Sequence, residues 1–125
     1  MSKLPDILCS AWEDREGPTV FATADKNGAP NAIYVTSIKL LAEGKVVIAN
    51  NFFQKTLANI ASGSRGAVLF ITREGKSYQL KGSIEYFESG AIYEDMKKWA
   101  DPQYPRVGAA VLHVEEAYSG GEKLL

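Results

Sequence analysis

Apolar residues along this chain recur with two different periods, and the changes of period mark its elements. One run is Val46-Val47-Ile48-Ala49, an unbroken apolar stretch led by three β-branched residues that suits a strand covered on both faces. Asn50-Asn51-Phe52-Phe53-Gln54 then makes a polar and aromatic turn, after which Leu57, Ile60 and Ala61 fall at helical spacing until Ser62-Gly63 stops the helix. Upstream, Pro5 suits a first helical position, and Ile7, Leu8, Ala11 and Trp12 share one face, which predicts a short amphipathic helix over 5–15 with Trp12 as its packing anchor. Residues 19–24 form an apolar strand, Asp25-Lys26-Asn27-Gly28 supplies a turn with the Asn-Gly dipeptide, and the return strand runs from Pro30 to Leu41. Residues 66–72 form a further apolar strand. Residues 77–87 alternate strictly, with Tyr78, Leu80, Gly82, Ile84 and Tyr86 on one side and Gln79, Lys81, Ser83 and Glu85 on the other. Gly82 inside that strand predicts a bend or a close backbone approach. A helix over 89–100 presents Ile92, Met96 and Trp99, two prolines hold 101–105 as a loop, 107–114 is a last buried strand, and 119–125 reads as a frayed tail.

That pattern gives six strands and three short helices in a mainly β chain. Strands joined by turns this short are mostly antiparallel, and six of them leave long edges unless the sheet closes on itself. The expected fold is a small antiparallel barrel, its interior filled by side chains, so that a sizeable ligand binds outside on the wall.

Composition narrows the function classes. At 125 residues the chain is one domain, 1–125, with an N-terminal helix within 1–16. It buries about two-thirds of its unfolded surface, enough for a core without disulfides or a structural metal. A formal net charge of −1 provides no field for nucleic acid or an anionic membrane. The single cysteine, Cys9, excludes an internal disulfide and fits a reducing compartment. No signal peptide or membrane-spanning run is legible, so the expected address is the cytoplasm.

Few residues carry chemistry. Lys55 and Thr56 sit at the start of the middle helix, where backbone N–H groups lack helical partners, an arrangement that accepts phosphate; a solvated lysine and a local threonine cap is the plainer alternative. The single histidine, His113, lies in an apolar strand and reads as a core or interface residue. No convergent metal-ligand spacing appears. Gly63-Ser64-Arg65-Gly66 follows a helix rather than opening one, so it is not a dinucleotide loop.

The order of these pieces resembles the FMN-binding split barrels, the group that contains pyridoxamine 5'-phosphate oxidases and small FMN-binding proteins. The resemblance covers about residues 17–115 and is most specific over 46–60, where Lys55-Thr56 followed by Asn59-Ile60 is similar to the family's phosphate-helix pattern; Ala29-Pro30-Asn31 and Gly82 add to it. It implies a six-stranded antiparallel split β-barrel with short flanking helices and FMN as cofactor. Lys55 and Thr56 would hold the FMN phosphate, and Tyr34, Val35 and Thr36 would lie along the ribityl chain and ring. Ala49, Asn50 and Asn51 would meet the isoalloxazine edge, and Ser77 would add a polar contact. Tyr104 or Arg106 could reach the flavin of a second subunit, which implies a homodimer with FMN at the interface and NAD(P)H or a small molecule as electron donor. The true oxidases end in a segment with Arg and His, whereas this chain ends Gly120-Gly121-Glu122-Lys123-Leu124-Leu125, so vitamin B6 oxidation is not implied. The readings that stay open are a small FMN-dependent oxidoreductase, an FMN store or electron relay without its own organic substrate, a split barrel for haem or a deazaflavin, and a barrel that has lost its cofactor.

Overall fold

The strand path of the sheet explains the whole architecture. In the computed structural model, which describes residues 4–125, the order is α1 (Asp6–Glu13), β1 (Thr19–Ala24), β2 (Pro30–Val35), β3 (Ile38–Leu41), β4 (Lys45–Asn50), α2 (Lys55–Ala61), β5 (Gly66–Ile71), β6 (Ser77–Phe87), α3 (Ala91–Trp99), β7 (Gly108–Ser119) and β8 (Glu122–Lys123). All pairings between these strands are antiparallel, in the spatial order β2-β1-β5-β6-β7-β4-β3, with β8 beside β7. The two ends of this path, β2 and β3, are consecutive in sequence and separated only by Thr36 and Ser37. Chain continuity therefore forces the sheet to curl until its ends meet, which gives the split barrel expected from the sequence.

Two expectations are corrected. The return strand over 30–41 is not one strand, because its first half pairs with β1 and its second half with β4, on opposite sides of the curl. The bend falls at Thr36–Ser37, where the Ser37 carbonyl accepts the Ala49 N–H at 2.9 Å. The end of the chain is not a frayed tail either. Gly120 takes a left-handed φ of 58°, turning Glu122–Lys123 back onto β7, and the Leu124 N–H donates to the Ala117 carbonyl at 2.7 Å. Leu124 and Leu125 gain apolar contact with the core, which is why this segment does not fray. The sheet therefore has eight strands rather than six.

The barrel interior is packed with Phe21, Val46, Ile48, Val68, Phe70, Leu80 and Leu112, while Leu8 and Trp12 of α1 plug one end, Trp12 meeting Phe70 edge-on at 5.0 Å. A second apolar cluster lies outside the barrel, where Met96 and Ala100, in and just after α3, cover Val47, Ala49, Ala109 and Val111. Strand β4 is thus buried on both faces, as its unbroken apolar run predicts. At Gly82 the β6–β7 register shifts, and a Cβ there would overlap the His113 carbonyl, which is the close approach the glycine predicts.

Candidate functional site

A cleft of about 380 Å³ opens on the outer wall at the seam where β2 bends into β3. Its floor and sides come from Tyr34, Val35, Thr36 and Ser37 on the bend, Ala49 and Asn51 at the end of β4, Phe52 and Phe53 in the turn, and Tyr104 in the loop before β7. Six of the eleven flavin-contact candidates, Tyr34, Val35, Thr36, Ala49, Asn51 and Tyr104, therefore converge. Val35 is buried, so it offers backbone rather than side chain to the cleft, whereas Tyr34 is 76% exposed. Phe52 is 72% exposed and meets Tyr104 edge-on at 6.1 Å, so two rings frame the mouth. Phe53 turns the other way and packs 6.0 Å from Phe21.

Asn50 is placed differently from expectation. It is buried, its Nδ2 donates to the Tyr86 hydroxyl at 2.8 Å, its Oδ1 accepts the Phe53 N–H at 2.9 Å, and its carbonyl accepts the Val107 N–H at 2.7 Å. These bonds make it a strut that shapes the turn, not part of the cleft lining. Burial pushes the Tyr86 phenol up, with the Asn50 hydrogen bond opposing the shift, so the ring stays a neutral partner. Ser77 also lies outside the cleft, opposite Ile71 across β5–β6, with its carbonyl accepting the Ser119 hydroxyl at 3.1 Å.

Lys55 and Thr56 sit beside the other end of β2. The Thr56 hydroxyl is buried and accepts from Asn31 Nδ2 at 3.1 Å, and Asn59 Nδ2 donates to Thr23 Oγ1 at 3.0 Å, which seats α2 on the β1–β2 hairpin. Lys55 projects outward, its ammonium 3.8 Å from Asp25, a loose contact on a side chain 58% exposed. The Ala29 and Asn27 N–H groups hold the Asp25 carboxyl below its usual range and fix that turn. With only seven residues, α2 is too short for its end to carry an anion site on its own, so any grip on phosphate here depends on side chains. From Asn31 to Tyr34 is three residues of extended strand, roughly 10 Å. Strand β2 thus joins the cleft to the Asn31–Thr56 contact beside the first residue of α2.

The loop between α3 and β7 closes one side of the cleft. Arg106 has φ of 49°, the one described non-glycine residue in the left-handed region, a conformation that costs about 1–3 kcal/mol and persists only where neighbours enforce it. Its N–H donates to Asn51 Oδ1 at 3.0 Å, Nε to the Tyr104 carbonyl at 3.2 Å and Nη1 to the Lys97 carbonyl at 3.1 Å.

The sequence reading missed Phe52, Ser37 and Asn31 as site residues. Two adjacent phenylalanines in a turn were the available signal for Phe52; the roles of Ser37 and Asn31 depend on the bend and on α2 docking, which no local pattern encodes. His113 is partly buried, with 27% of its side chain exposed, rather than sealed in the core; its Nε2 lies 2.5 Å from Glu85 Oε1, away from the cleft. Its strand neighbours alternate between the packed interior and the outer face, and His113 falls on the outer one. Among the described residues no group of His, Cys, Asp and Glu is arranged to hold a metal ion, and no helix is long and apolar enough to cross a membrane.

The sequence model of the pyridoxamine 5'-phosphate oxidase family matches residues 9–119, and the chain belongs to that family. An uncharacterised protein of Methanocaldococcus jannaschii is 37% identical over 110 residues, 83% of this chain and 74% of that protein. Among solved structures, HupZ of Group A Streptococcus superposes with a TM-score of 0.83 at 24% identity, covering 97% of each chain. An FMN-binding protein from Syntrophomonas wolfei superposes with a TM-score of 0.74 at 15% identity, covering 94% of this chain and 83% of that one. At these identities the structural matches establish the split-barrel fold.

Proposed function

We propose that the protein binds FMN, with the isoalloxazine in the seam cleft, the ribityl arm along β2 and the phosphate on Lys55. The observation that carries this reading is the geometry of the site: an open apolar slot framed by exposed rings and joined by one strand to a loosely engaged cation. Chain backbone at Val35 and Thr36 would orient the ring's polar edge, Tyr34 and Phe52 would exclude water from its face, and Lys55 would make a charge-assisted bond to phosphate. Thr56, already bonded to Asn31, would act through that contact by fixing the strand beside the arm. Bound flavin supplies the electron transfer; the protein sets its access and potential.

A second copy of the chain completes the site in this reading. Tyr34, Val20 and Leu69 lie opposite one another across β2, β1 and β5, and Ala32, Ala22 and Ala67 form the next row. Tyr34 and Leu69 are exposed, as is Ile71 further along β5. Such an apolar strip is what a two-fold self-complementary interface buries. We further propose a cytoplasmic FMN-dependent oxidoreductase that takes electrons from NAD(P)H or another small donor docked over the ring.

Titration of the ligand-free protein with FMN, read by flavin fluorescence, tests the reading. Thr36→Trp fills the slot from an exposed position, so it should abolish saturable binding while leaving the unfolding temperature unchanged. Equal FMN binding by the variant, or none by the natural protein, would overturn the site. Anaerobic NADPH then separates the roles: bleaching of bound flavin marks the enzyme, and a persistent oxidised spectrum marks a store or relay.

A further inference from the structure

The Asn51 side chain joins three segments that meet at the cleft. A backbone N–H can only donate, so the Arg106 N–H fixes Asn51 with Oδ1 towards the loop at 3.0 Å and Nδ2 towards the Ser37 hydroxyl at 3.4 Å. The Arg106 backbone would not hold a left-handed φ of 49° unaided. Its guanidinium ties the loop to itself and to the end of α3, through the carbonyls of Tyr104 and Lys97. Besides the adjoining Val107–Asn50 backbone bond at 2.7 Å, Asn51 Oδ1 is what ties this turn to β4. Two residues before Arg106, Tyr104 meets Phe52 at the cleft mouth.

We infer that Asn51 is a positioning residue rather than a flavin contact: its side-chain carbonyl latches the 101–107 loop to the end of β4, holds Tyr104 against Phe52, and so sets how fast a ligand leaves the cleft. The chemistry required of residue 51 is an acceptor at Oδ1. Asparagine supplies it, aspartate would supply it too, and alanine would not. A residue that donated its amide hydrogens to a flavin carbonyl would show the opposite pattern, since aspartate has no such donor.

The latch itself is read without any ligand, by hydrogen exchange of backbone amides in the full-length protein. Asn51→Ala should speed exchange at Arg106 and Val107 at least tenfold and leave Val47 and Val111 in the core unchanged, while Asn51→Asp retains the natural protection. Unchanged exchange at Arg106 in Asn51→Ala, or equal loss in both variants, overturns the proposal. A second arm rests on the flavin reading and follows FMN release by stopped-flow fluorescence. Asn51→Ala and Tyr104→Ala should each accelerate release several-fold, the double variant should be no faster than the faster single, and Asn51→Asp should release at the natural rate. Multiplying effects in the double variant would place Asn51 on the flavin and contradict the latch. Failure of the natural protein to bind FMN would defeat the flavin reading alone, since the amide-exchange arm decides the latch without it.

Discussion

Lys55 is the residue on which the proposed phosphate grip rests, and Thr56 beside it is buried against Asn31. The position of Lys55 after a buried strand and a turn marks it as a phosphate candidate, and the fold leaves it exposed beside Asp25 at 3.8 Å. Replacement by alanine should weaken FMN affinity tenfold or more, the loss expected from a charged hydrogen bond of about 1.5–3 kcal/mol; unchanged affinity in a titration would remove Lys55 from the site. Asn50, adjacent in sequence to the cleft residue Asn51, was expected at the isoalloxazine edge but lies buried beneath the turn. Its strut role depends on Tyr86 and Val107, both remote in sequence. Asp25 gives the pH prediction. Its carboxyl is held below the usual range by the Ala29 N–H first and the Asn27 N–H second. Its contribution to stability is therefore in force above the unfolded pKa of about 3.9 and is lost as pH falls through the lower folded value. Asp25→Asn keeps an acceptor for both N–H groups but no longer titrates, so its unfolding temperature should decline less steeply below about pH 4 than that of the natural protein. Parallel acid limbs would show that the Asp25 charge does not matter there.

At the scale of elements, hydrophobic period read most of the strands correctly because each turns one or both faces to packed apolar residues, and that burial leaves its period in the sequence. Strand β4 was recognisable from its apolar run, and the Asn27-Gly28 turn from a dipeptide that accepts the φ of 87° found at Gly28. The bend at Thr36–Ser37 was not recognisable. It carries no glycine or proline, and it exists because the same continuous stretch must pair with β1 on one side and β4 on the other. The β8 hairpin escaped notice for a related reason, since its stability comes from Leu124 and Leu125 packing on a core assembled elsewhere. Gly82 was read correctly, and its geometry gives a sharp test. An added Cβ would overlap the His113 carbonyl, forcing β6 and β7 apart, so Gly82→Ala should destabilise by about 1–3 kcal/mol or more in chemical unfolding. A cost below about 0.5 kcal/mol, the range of ordinary surface changes, would show that the bulge relaxes freely.

For the molecule as a whole, a packed barrel interior leaves only the wall for a ligand, and the seam that closes the curl is where the wall opens. The cleft is therefore a consequence of topology rather than of a motif, and no local spacing marks it. The apolar strip across β2, β1 and β5 ends on Tyr34, a cleft residue, so the proposed dimer contact and the proposed flavin site are continuous. Leu69→Glu places a charge in that strip away from the cleft, on a side chain 43% exposed. Sedimentation should show a dimer for the natural protein and a monomer for the variant, with FMN affinity falling as the covering subunit is lost; a natural protein that sediments as a monomer would contradict the proposed interface.

The most direct test is a crystal structure of the protein grown with FMN. The account predicts flavin density in the cleft between Thr36 and Phe52, with a phosphate oxygen within hydrogen-bonding distance of the Lys55 ammonium. Flavin bound elsewhere on the surface, or a cleft in which the chain's own side chains fill the slot while FMN is in excess, would contradict it.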